Sequence, residues 1–94
     1  MAAQDPELKQ IANELEGRLV NDNGVPRNIR KGASDAAALL LDGSKPMDLR
    51  IQSAINILAE LTNDANLPME SWSVIMQIVS SLEVKAQKYI KSNQ

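Results

Sequence analysis

The sequence predicts an all-α protein, a four-helix bundle of the up-and-down type made of two repeated helical hairpins. Three observations predict it. Apolar residues recur at spacings of three and four in four separate segments, the mark of helices with one buried face. Aromatic residues make up only 2% of the chain and Phe is absent, so Leu, Ile, Val, Met and Ala must fill the core, which favours helix over sheet. The stretch NDNGVP at 21–26 returns as NDANLP at 63–68, an offset of 42 residues.

The first helix opens at Asp5-Pro6-Glu7, where Asp can cap, Pro fits the first helical position and Glu suits the helix dipole. Leu8, Ile11, Ala12, Leu15 and Leu19 form its stripe. The second begins at Pro26, carries Ile29, Ala33, Ala36, Ala37 and Leu40, and stops at Asp42-Gly43, with the glycine suited to a left-handed end. Its alanines admit a close neighbour. The third starts around Pro46 with a stripe of Met47, Ile51, Ala54, Ile55, Leu58 and Leu61. The fourth starts at Pro68 and places Trp72, Ile75, Met76, Val79, Leu82, Ala86, Tyr89 and Ile90 on its apolar side. At about 22 residues and 1.5 Å per residue it reaches roughly 33 Å, long enough for its tail to project.

At the offset of 42, Gln10, Ala12, Leu19, Asn21, Asp22, Pro26 and Leu40 meet identical residues at Gln52, Ala54, Leu61, Asn63, Asp64, Pro68 and Leu82. A period near 42 falls in the range of HEAT-type repeats, which need about three units to bury a continuous core. With two, each hairpin hides its apolar face against the other. The expectation is a single domain over 1–94, with hairpins at about 6–42 and 46–91.

Each residue of the repeated stretch has a local reason. Asn21 and Asn63 follow the last apolar residues of a helix, where Asn tolerates a helix-ending conformation. Asp22 and Asp64 can accept backbone amides in an Asx turn or face the next helix start. Gly24 aligns with Asn66, the two residue types that most readily take positive φ. Val25 and Leu67 are pushed toward extended geometry by the prolines after them, and Pro26 and Pro68 start the next helix. A binding loop is the functional alternative, but turn chemistry already accounts for every position.

Several chemistries are excluded. There is no Cys and no His, which removes disulfides, thiolate and imidazole catalysis and the usual zinc sets. No glycine-rich phosphate loop, calcium loop or catalytic constellation is present, and the sequence calls for no cofactor and no metal. The net charge is −2 and the pI near 5.0, so no global positive field draws nucleic acid or anionic membrane. No apolar run approaches the ~18–20 residues of a membrane span, and the first residues lack a signal-peptide pattern, so a cytoplasmic location is expected.

Two surface features remain as candidate sites. Arg27, Arg30 and Lys31 crowd the first turns of the second helix, where the dipole disfavours cations. They form a candidate anion or partner site, with Asn28 and Arg18 as accessories, or else make solvated ion pairs with Asp22, Glu14, Glu16 or Asp35. The second copy has Met69, Glu70, Trp72 and Ser73 there, so the fold does not require the cations. Leu49, Ile57, Val74 and Ile78 lie off or at the edge of their stripes, as does Val84, and make a candidate apolar interface for a protein partner or a second copy. Trp72 reads as a core or hairpin-packing residue. The tail Val84–Lys91 places Lys85, Lys88 and Lys91 at a helix C-terminus, with Tyr89 among them.

The stretches VPRNIRKGASDA (25–36), INILAELTNDANLP (55–68) and IMQIVSSLE (75–83) resemble a family of small archaeal proteins, uncharacterised protein family 0147. The resemblance runs roughly from Ile11 to Leu82 and implies a compact helical bundle from an archaeal cytoplasm, with no activity and no site residues carried over. Gly17 and Gly32 interrupt helices and are expected to mark close packing. The resulting expectation is a non-enzymatic protein–protein interaction or scaffold module. The alternative is an RNA- or ribosome-associated protein using the basic start of the second helix.

Overall fold

A computed structural model describes residues 5–92, with side chains through Tyr89; Ile90 and Lys91 of the expected stripe and tail have side chains outside that set, as do residues 1–4 entirely. Among the described residues all regular structure is helical. Helix α1 is Pro6–Leu15 and runs on into a π segment, Glu16–Val20; α2 is Arg27–Leu41, α3 is Met47–Leu61 and α4 is Met69–Ser92.

Asp5 caps α1 as expected, its carboxylate accepting from the amides of Glu7 at 2.9 Å and Leu8 at 3.2 Å, with Pro6 in the first turn. The stripe Leu8, Ile11, Ala12, Leu15 and Leu19 is buried. The π segment closes when the amide of Asn21 reaches the carbonyl of Glu16 at 2.9 Å, one residue further back than an α-helix allows. Gly17, inside it, has open space around its Cβ position and marks no close packing.

All three joints between helices are one device. At Asp22, Asp42 and Asp64 the side chain accepts from the amide two residues on, at 2.9, 3.1 and 2.7 Å. The carbonyl of the same Asp accepts from the amide three residues on, at 3.0, 3.2 and 3.1 Å. A proline follows four positions after each Asp, and its carbonyl accepts the first hydrogen bond of the next helix, from the amides of Arg30, Arg50 and Trp72 at 3.0, 3.0 and 2.9 Å. Pro26 and Pro46 therefore stand one residue before their helices, with ψ near 148–149°, rather than at the first helical position.

These bonds correct the expected backbone. Among the described residues none has positive φ, so neither Gly24, Asn66 nor the Gly43 stop is left-handed. An Asp that closes both an Asx turn and a β-turn needs only negative φ at its two central residues. The middle joint, Asp42-Gly43-Ser44-Lys45-Pro46, shares the device and adds a bond from the Ser44 hydroxyl to Asp42. Comparing the halves at one offset conceals it. The turn thus marks every joint, and does not by itself distinguish a doubled hairpin from a series of four helices.

Each helix packs on the next, and α2 against α3 is the tightest interface. Ala33, Ala36 and Ala37 are completely buried, and a Cβ on Gly32 would come within 2.7 Å of the Leu61 side chain. That close approach is what the glycine permits. The start of α1 and the latter part of α4 are tied by charge: the ammonium of Lys85 lies 2.8 Å from Asp5 and 2.9 Å from Glu7. Burial opposes the charge on Asp5, but Lys85 and the amides of Leu8 and Glu7 outweigh it and hold the carboxyl below its ordinary value of 3.8. Asp5 and Glu7 in turn hold Lys85 above 10.5, against burial.

Candidate functional site

On α4 the buried face is Ser71, Val74, Ile75, Ile78, Val79 and Leu82, spaced three and four apart. This corrects the expected stripe by one step. Val74 and Ile78, assigned to a surface patch, are 5% and 3% exposed and belong to the core. Of that patch, Ile57 packs partly buried against the core and only Leu49 is open, at 49%. Val84 is open as well.

Trp72 moves the other way. It is 42% exposed, with Met69 and Met76 also open, and residues at i, i+3 and i+7 share one helix face. The result is an apolar ridge on the first two turns of α4. At its base Thr62, Asp64, Leu67, Met69 and Trp72 line a hollow of about 370 Å³. A helix turned by one residue would bury Trp72 and expose Ser71; the chain does the reverse. The sequence carried a signal for this, because a stripe through Val74 and Ile78 has better periodicity than one through Trp72 and Met76, but hydrophobicity alone favours burying the Trp.

The hydrogen bond from the Asn28 amide to Asp64 clasps the start of α2 to the joint that carries this hollow. Asn28 thus ties α2 to the third joint. The cations beside it are not equivalent. Arg27 is exposed and forms no ion pair among the described residues. Lys31 is 3.5 Å from Asp35, an open i,i+4 pair worth about 0.3–0.5 kcal/mol. Arg30 is half-buried, with its Nε covered and without a hydrogen-bond partner.

Arg18 lies elsewhere. It lines a cleft of about 580 Å³ between the π segment, the first joint and the start of α4, where Asp22, Glu70 and Ser71 also contribute. The basic tail is not a free surface either: Lys85 is committed to Asp5 and Glu7, and Lys88 comes within 4.0 Å of Glu7. Tyr89 is half-buried in a hollow with Asp48, Leu49 and Gln52 of α3, so α4 is accompanied as far as that residue. Among the described residues no three carboxylates converge to hold a metal ion, and no helix is long and apolar enough to cross a membrane.

The family model of uncharacterised protein family UPF0147 matches residues 1–84. A UPF0147 protein of Methanocaldococcus jannaschii is 44% identical over 77 residues, covering 81% of each chain. One of Thermococcus kodakarensis is 40% identical over 76 residues, 81% of this chain and 92% of that one. Among solved structures, the unknown function protein MMP1188 superposes with a TM-score of 0.79 at 35% identity, covering 88% of this chain and 96% of its own. A UPF0147 protein from Thermoplasma acidophilum gives 0.78 at 31% identity, over 86% and 94%. The functions of these relatives are as uncharacterised as the shared fold is clear. This chain belongs to the uncharacterised protein family UPF0147.

Proposed function

We propose that this chain is a non-enzymatic protein-interaction module of the archaeal cytoplasm. Its helices close into an up-and-down four-helix bundle of two hairpins, about 6–42 and 46–91, and it docks a protein partner on the outer face of α4. The observation that carries this reading is the ridge of Met69, Trp72 and Met76. Interfaces are enriched in Trp and Met, and a Trp left open beside a buried Ser is a poor use of the largest apolar side chain unless something covers it. The ridge replaces the patch expected from the sequence, of which only Leu49 is well exposed.

The test compares wild type with Trp72→Ser. Sedimentation over a range of concentrations reads self-association, and co-purification from cells of a UPF0147-bearing archaeon reads a second protein. The reading expects one of these associations in wild type and its loss in the variant. Identical sedimentation and identical retained proteins for both would remove it.

A second reading, RNA association, draws on Arg27 and Lys31, which are exposed at the start of α2. It expects salt-sensitive RNA binding that Arg27→Ala or Arg30→Ala weakens for all sequences alike. Binding absent at low salt, or indifferent to both substitutions, rules it out.

A further inference from the structure

We infer that the cleft between the π segment and the start of α4 binds a small zwitterion, a carboxylate that also carries an amino group. Ser71 forms part of its wall. The residue is 5% exposed, yet its hydroxyl makes no hydrogen bond among the described residues. Among the described residues the covered unpaired side-chain atoms are the Nε of Arg30 and Arg50; the Ser71 oxygen is not one of them and stays open to the cleft, free to bond a group that enters it. Next to it, α4 begins with free amides: the first bonded one is Trp72, and Pro68 offers no side-chain cap to Met69, Glu70 or Ser71. Arg18 of the π segment also lines the cleft, within reach of a guanidinium contact. A hydroxyl, free amides at the positive end of a helix and a guanidinium together suit a carboxylate.

Asp22 and Glu70 line the same cleft. They repel a bare anion and attract an ammonium group. One cation facing two carboxylates leaves the walls net negative, which opposes phosphate most strongly and matches a ligand carrying both signs. The starts of α2 and α3 also follow a proline with no side-chain cap; the covered unpaired atoms beside them are the Nε of Arg30 and Arg50 rather than a hydroxyl.

The experiment is an amide-resolved NMR titration of the full chain with glycine, acetate, methylamine and inorganic phosphate, each alone. Glycine is expected to give saturable shifts in the millimolar range at Gly17, Arg18, Glu70 and Ser71. Acetate and methylamine should bind more weakly than glycine, and phosphate weakest. Ser71→Ala and Arg18→Gln should each weaken glycine several-fold; Arg18 is exposed, so its variant keeps the fold and the test intact. The inference fails if no probe saturates, if phosphate binds more tightly than glycine, if the start of α2 shifts equally, or if both variants bind glycine like wild type.

Discussion

At one end of the molecule Asp5 caps α1 and binds Lys85 of α4, while the Arg50 guanidinium reaches the Leu40 carbonyl 3.4 Å away at the end of α2. At the other end the start of α2 meets the third joint through Asn28 and Asp64, and around that clasp lie an open cleft and an exposed tryptophan. The joints themselves do not make the difference, since all three use the same Asp and Pro. What differs is the residue four positions after each proline. Arg30 and Arg50 fold their guanidinium stems against the structure, with Nε covered in both. Trp72, at the matching step, stays 42% exposed. A shared turn builds the frame at both ends, and of the three residues it delivers Trp72 alone is left open, since Arg30 at the same end folds back like Arg50.

If the two ends differ in this way, damage to the tied end should fall on stability. Asp5→Ala removes a cap and leaves the half-buried Lys85 without its shortest partner, a loss of about 2 kcal/mol. Thermal denaturation followed by circular dichroism should show a drop on the order of 10 °C, at roughly 4–8 °C per kcal/mol for a chain of this size.

The same contact sets a pH signature. Because the folded-state pKa of Asp5 is depressed, its contribution is complete above its unfolded value near 3.8 and is lost as pH falls through the lower folded value. Lys85 is raised, so its contribution holds below 10.5 and is lost as pH rises through the higher folded value. Stability should therefore be flat between these limits and fall outside them. Lys85→Met should cost about 1–2 kcal/mol within the plateau and soften both edges, read from denaturant midpoints against pH.

The joints offer a finer contrast. Asp64 holds the Asn66 amide and Asn28, whereas among the described residues the Asp22 side chain holds the Gly24 amide alone. Asp64→Ala should cost about 1 kcal/mol more than Asp22→Ala, because one further hydrogen bond is lost and the clasp opens. Equal effects in urea denaturation would mean that Asn28 contributes nothing across the two joints.

The helices were legible in the sequence because their stripes are long and periodic. Leu8 to Leu19 and Ile29 to Leu40 are buried as the spacing says. The register of α4 was not, because a hydrophobic ranking places Trp72 and Met76 inside and Ser71 outside, and the fold inverts that ranking. The turn backbone departs from the sequence expectation for a different reason. Gly24, Asn66 and Gly43 permit positive φ, but permission is not a requirement, and the Asp ahead of each already closes the turn with ordinary φ. The middle joint was written plainly as Asp42 and Pro46, at the same spacing of four, and was hidden only by its different filling. The cleft had no sequence signature at all: Arg18, Asp22, Glu70 and Ser71 come together through the packing of α4 near the π segment.

The most direct measurement pairs Trp72→Ser with Lys85→Ala, scoring both melting temperature and the association that wild type shows. Trp72→Ser should keep stability within about 0.5 kcal/mol of wild type and lose the association. Lys85→Ala should melt several degrees lower and keep the association below its melting point. A Trp72→Ser protein that associates like wild type, or that loses stability like a core substitution, would contradict the division between the two ends.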